Sequence, residues 1–130
     1  MIPTISRQEL KRKLDAHEKF YLVETLPLHT YEQGHLPGAT CLPPEEAREL
    51  AAHRLPDKNA EIVCYSDNAD NMICARVSQE LMNLGYKNVR HYAEGKSDWV
   101  DAGNALQAGP PEMLPETELR SSAQKAFQQA

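Results

Sequence analysis

The run EIVCY at residues 61–65 constrains this chain more than any other stretch. Ile62, Val63 and Cys64 follow one another without a polar interruption, as in a strand covered on both faces. A strand with one wet face would alternate apolar and polar side chains. Such a strand demands helices above and below its sheet, and the flanking sequence supplies them. EEARELAAHRL at 45–55 spaces Ala47, Leu50, Ala51 and Leu55 along one side of a helix. Residues 72–84 do the same with Ile73, Val77, Leu81 and Leu84, with Asn71 as the expected N-cap and Gly85 as the residue just past the end.

The remaining segments alternate in the same way. Ser6 and Glu9 read as a capping box that opens a short helix carrying Leu10 and Leu14 and ending near His17. Residues 20–23, FYLV, read as a strand with Glu24 at its carboxyl end, closed by Pro27. A brief helical turn over 28–33 leads to GHLPGA at 34–39 and a second extended stretch at 39–42. Beyond Gly85, residues 89–92 make another strand and 96–102 a short helix containing Trp99. Alternation of this kind predicts an α/β domain with a mostly parallel sheet, helices on both faces, and a ligand site beyond the carboxyl ends of the strands. Ser66 begins such a loop.

At 130 residues, 41% of them hydrophobic, the chain has room for one domain, expected over residues 1–106. Pro110, Pro111 and Pro115 mark a linker within residues 107–130, and Leu119, Ala123, Ala126 and Phe127 then form a helical stripe that either docks or frays. A net charge of −5 argues against nucleic acid, which requires clustered Lys and Arg. The locally basic KRK at 11–13 reads as the solvated face of the first helix. The opening MIPTISRQELKRK lacks the apolar centre of a signal peptide, and no stretch approaches a membrane span. Three cysteines, Cys41, Cys64 and Cys74, without a CxxC pair suit reduced thiols rather than a disulfide framework, and a cytoplasmic protein is expected.

Several chemistries fail on spacing. His17, His29, His35, His53 and His91 show neither HxH nor HExxH spacing, so no metal is inferred. Neither glycine-rich nucleotide motif occurs, and no cofactor is implied. A phosphatase loop of cysteine, five residues and arginine would need Arg six positions beyond its nucleophile. Counting from Cys64 reaches Asp70, and from Ser66 reaches Met72.

GHLPGA at 34–39, IVCYS at 62–66, LGYKNV at 84–89 and EGKSDWVDAG at 94–103 together resemble a rhodanese-like domain, in order and spacing, from about Ile5 to Leu106. The resemblance implies a sulfurtransferase-type fold in which the cysteine after Tyr65 carries sulfur as a persulfide, cradled by the amides of the loop that follows. That position is Ser66, and a serine hydroxyl without an adjacent base neither attacks nor holds a persulfide. The loop of Asp67, Asn68, Ala69, Asp70, Asn71 and Met72 would be the binding loop. Two carboxylates there would repel an anionic donor such as thiosulfate by roughly 1 kcal/mol each at short range. Glu24 stands where the family usually has Asp, and Leu26 where it often has Arg. His35, within GHLPGA, has a structural role by the same resemblance.

The expectation is therefore a binding or regulatory module with lost or reduced sulfur transfer, whose partner is a protein or a small sulfur donor. The alternative is an active sulfur carrier or thiol-redox enzyme. It would have to use Cys74, whose place in the first turn of a helix favours the thiolate modestly, or a native cysteine that Ser66 has replaced. Cys64, two positions before Ser66 on a strand, and Cys41 read as core thiols.

Overall fold

Strand β3 (Glu61–Tyr65) lies inside a four-stranded sheet of order β2-β1-β3-β4, flanked by β1 (Tyr21–Glu24) and β4 (Asn88–Tyr92), with β2 (Thr40–Cys41) at the far edge. In this computed structural model, which describes residues 2–109, all three pairings are parallel. The sheet is thus wholly rather than mostly parallel, and Thr4 adds a parallel bridge to His91 outside β4.

The alternation of β3 side chains explains its continuous apolar sequence. Ile62 and Cys64 enter one core with Val23, Leu42, Ala51, Leu55, Val77 and Leu81, beneath α3 (Ala47–Arg54) and α4 (Ile73–Asn83). Val63 and Tyr65 enter a second with Leu10, Leu22, Tyr31, Leu36, Tyr92 and Trp99. This opposite face carries α1 (Arg7–Asp15), α2 (Leu28–Gln33) and α5 (Gly95–Asp101). Each core is buried, so both faces of the strand must be apolar.

Local signals set the helix ends. Ser6 accepts the Glu9 amide at 3.1 Å, which is half of the expected capping box. The Glu9 carboxylate turns away to Arg90 instead, because a charge-assisted pair outweighs a second cap bond. Gly85 ends α4 at φ +103, with its amide on Met82 and the Tyr86 amide on Leu81, a Schellman closure that needs the left-handed backbone glycine adopts cheaply. The start of α4 differs by one residue from expectation: Met72 occupies the cap position, and Asn71, one step earlier, accepts the Ile73 amide at 2.9 Å through Oδ1. Asparagine favours this two-residue turn, so it caps without being the cap.

At the carboxyl-terminal side, Gln107 exchanges backbone hydrogen bonds of 2.8 Å with His35, and the Gly109 amide reaches Glu32. The helical stripe read at Leu119 to Phe127 lies outside the described residues. No helix among those described is long and apolar enough to cross a membrane.

Candidate functional site

The carboxyl ends of β1 and β3 meet the turn after β4. Glu24, the last residue of β1, is completely buried, as are Tyr65, the last of β3, and Ser66 beyond it. The Tyr65 hydroxyl donates to Glu24 Oε1 at 2.7 Å and accepts the Leu36 amide at 3.0 Å. Lys96, from the first turn of α5, spans β3 and sets its ammonium 3.1 Å from both Glu24 oxygens. Burial pushes the Glu24 carboxyl upward, and the Tyr65 hydroxyl and Lys96 ammonium only partly offset it. Burial likewise drives the Tyr65 phenol well above its ordinary range.

Ser66 begins a polar loop, as the sequence suggested, but its side chain is buried. Its hydroxyl donates to the Asn71 carbonyl at 3.3 Å, so the returning loop covers it. Below, the Ser66 carbonyl accepts the Lys96 amide at 2.9 Å and the Asp67 carbonyl the Ser97 amide at 2.7 Å. Gly95 sits against this backbone at φ +75, and a Cβ there would come within 2.7 Å of the Ser66 oxygen. Side chains also tie the loop to itself: Asn71 donates to Asp67 at 3.0 Å, and Asn68 Oδ1 accepts the Asp70 amide at 3.0 Å. Asn68, Ala69, Asp70 and Met72 face solvent, Met72 with 69% of its surface exposed, whereas Asp67 and Asn71 are half-buried.

Cys74 lies in the first turn of α4, as expected, but only 2% exposed. Its Sγ is 3.4 Å from His91 Nδ1 on β4. Burial raises the thiol, opposed by the Ser66 hydroxyl and the amides of Ala75, Cys74 and Ser66. Burial also lowers the His91 imidazole, so both partners favour their neutral forms. Cys64 is pushed up to about 12 and Cys41 to about 11 by the same cause. All three cysteines are free thiols. His35 stacks on Tyr31 at 3.7 Å and places Nδ1 2.8 Å from the Tyr31 carbonyl, the geometry of a packed residue. Among the described residues, no group of three or more His, Cys, Asp or Glu could hold a metal.

The structure therefore brings Ser66, the loop residues and Cys74 together, and adds two that sequence reading missed, Lys96 and His91. Lys96 lies within EGKSDW, but nothing local marks it as the partner of Glu24, 72 positions away. His91 could be found only through the pairing of β4 beside β3, which sets Cys64 opposite His91.

The profile of the rhodanese-like domain matches residues 6–102, and the chain belongs to that family. Among curated proteins it is similar to YrkF of Bacillus subtilis strain 168, a candidate sulfur carrier, at 26% identity over 76% of this chain and 51% of that one. It is also similar to the HTH-type transcriptional regulator Rv0324 of Mycobacterium tuberculosis, at 30% identity over 82% of this chain and 46% of the other. The chain thus spans about half the length of the curated relatives it matches. Its fold is shared with a thiosulfate sulfurtransferase from Pseudomonas aeruginosa, at a TM-score of 0.75 and 24% identity, covering 83% of this chain and 20% of that one. The human single-domain sulfurtransferase TSTD1 superposes with a TM-score of 0.65 at 22% identity, covering 78% and 97%.

Proposed function

We propose that this domain is a rhodanese-like module in which sulfur transfer at the position of Ser66 is lost, and which acts as a binding or regulatory unit through loop 66–72. The burial of Ser66 beneath the Asn71 carbonyl carries this reading. A sulfur-accepting group must meet its donor and be surrounded by hydrogen-bond donors as charge develops. Here the side chain has no exposed surface, and an acceptor oxygen faces it. Among the described residues, the hydroxyl's hydrogen bond goes to the Asn71 carbonyl rather than to a base, and Asp67 and Asp70 on the same loop oppose an anionic donor. Kinship with a sulfurtransferase and a candidate sulfur carrier supports a sulfur-handling ancestry for the site.

The solvent-facing side chains Asn68, Asp70 and Met72 offer the contact surface, which suits a protein partner better than a small oxyanion. Three buried thiols suit a reducing compartment such as the cytoplasm. The competing sulfur-carrier reading would use Cys74. Its burial and raised pKa weigh against it, and the contact with His91 is the observation in its favour.

Incubation with thiosulfate, and separately with a low-molecular-weight persulfide, tests both readings through cyanide-dependent turnover and mass mapping of a one-sulfur adduct. The parent protein is expected to show neither, and Ser66→Cys to stay without an adduct at residue 66 while the Asn71 carbonyl covers that position. Turnover by the parent with the adduct on Cys74 would overturn the proposal. So would a folded Ser66→Cys protein that takes sulfur at residue 66 as readily as an exposed thiol, because burial would then not be what closes the site.

A further inference from the structure

We propose that the turn after β4 and the first turn of α5, residues 93–97, hold loop 66–72 in its binding conformation, with Lys96 as the positioning residue. The proposal takes its functional meaning from the reading of that loop as the contact surface, but its geometry stands apart from it. Three consecutive residues of the turn engage the loop in different ways. Gly95 brings backbone against backbone: an added Cβ would lie 2.7 Å from the Ser66 oxygen, 2.9 Å from the Asn68 nitrogen and 2.9 Å from the Asp67 carbonyl carbon. Lys96 and Ser97 donate their amides to the Ser66 and Asp67 carbonyls at 2.9 and 2.7 Å. These bonds leave the loop's first two peptide units no freedom to rotate without breaking a partner.

The Lys96 side chain supplies what a simple turn lacks, a tether to another strand. It crosses the end of β3 to reach both oxygens of Glu24 on β1 at 3.1 Å, and the Tyr65 hydroxyl closes the same carboxylate from β3. The ends of β1 and β3 and the start of α5 are thereby joined directly beneath the loop. Glu24 has no solvent exposure, so it cannot exchange Lys96 for water. The turn can shift only if this pair separates, and a shift of the turn carries the Ser66 and Asp67 carbonyls with it.

Amide hydrogen exchange on the full chain, read by NMR, tests this. Lys96→Met is expected to speed exchange at Asn71, Ile73 and Ser97 by about tenfold or more beyond any change in the β3–β4 ladder. Lys96→Arg, which keeps the cation, is expected to return those amides to within about threefold of the parent. A purely structural lysine would move loop and ladder amides by one common factor. That outcome, or no change in the loop, overturns the proposal.

Should Lys96→Met fail to fold, Gly95→Ala probes the same contact with the ion pair intact. Faster exchange and shifted resonances confined to 66–73 and 95–97 are expected. Parent-like loop amides in that variant would overturn the proposal. Turnover by the parent with sulfur on Cys74 would instead count against the functional reading and leave these exchange patterns unaffected.

Discussion

The two ends of β3 each carry a cluster of charge, and the same residue type behaves oppositely in them. At the amino end, Glu61 meets Lys13 at 2.6 Å and Arg90 at 3.4 Å, and Arg90 continues to Glu9 at 3.0 Å. Water still reaches this cluster, with the Glu9 side chain 38% exposed, and the Arg90 hydrogen bond holds its carboxyl below the usual range. At the carboxyl end, Glu24 also has a cation and a hydroxyl in contact, yet its carboxyl is raised. Partners are comparable, and solvent is not. Once water is removed completely, the cost of desolvation exceeds what one ammonium and one phenol return. The amino end is therefore a network open to water at Glu9, and the carboxyl end a buried pair retained beside the candidate site.

The largest effect that follows from this contrast is Lys96→Met, which strands a buried carboxylate. It is expected to cost about 3 kcal/mol at neutral pH, measured by urea unfolding. A cost no larger than that of a surface pair would show that water reaches Glu24 and erase the distinction between the two ends.

Glu24→Gln sharpens the comparison through its sign. Glu24 has a raised folded pKa, so between its unfolded value and that raised value the folded state binds more protons. The stability contributed by this group then falls as pH rises. The glutamine variant lacks that loss. Relative to the parent, it is expected to match in acid, where the parent's carboxyl is protonated in both states, and to gain in unfolding free energy as pH rises through the interval between the unfolded and the raised folded value. A variant that loses ground with rising pH would mean that Lys96 more than offsets the burial of Glu24.

The same desolvation ranks the thiols. Native-state alkylation followed by peptide mass mapping is expected to label Cys74 first, then Cys41, then Cys64, because the last two are pushed to about 11 and about 12 and Cys74 has amide neighbours opposing its rise. Cys64 modified ahead of Cys74 would break this order.

Much of this fold is legible in sequence because its determinants are local or periodic. The unbroken EIVCY run required two cores, and β3 feeds both. Gly85 marked a helix end that its backbone conformation confirms. The N-cap at Asn71 was misplaced by one position, because its side chain bonds the Ile73 amide from outside the helix. The site was less legible. Polarity of the segment after Tyr65 marked a loop, but not that Ser66 is covered by a carbonyl five residues on, which depends on how the loop returns. The Glu24–Lys96 pair left no local signal, since its members meet only after β1, β3 and β4 are in register.

Glu9→Gln is the smallest effect and tests the amino end directly. Glu9 has a lowered folded pKa, so its contribution is present above the unfolded value near 4.5 and is lost as pH falls through the folded one. With much of the pair in solvent, screening limits the loss to about 0.5 kcal/mol at neutral pH, shrinking further in high salt. The variant's deficit should also vanish in acid, where the parent's carboxylate is protonated. Its pH dependence therefore runs opposite to that of Glu24→Gln. If both substitutions gave the same slope, burial would not be what separates the two ends of β3. If only Glu9→Gln responded to salt, the carboxyl-end pair would be established as sealed from solvent, as its tether to the loop requires.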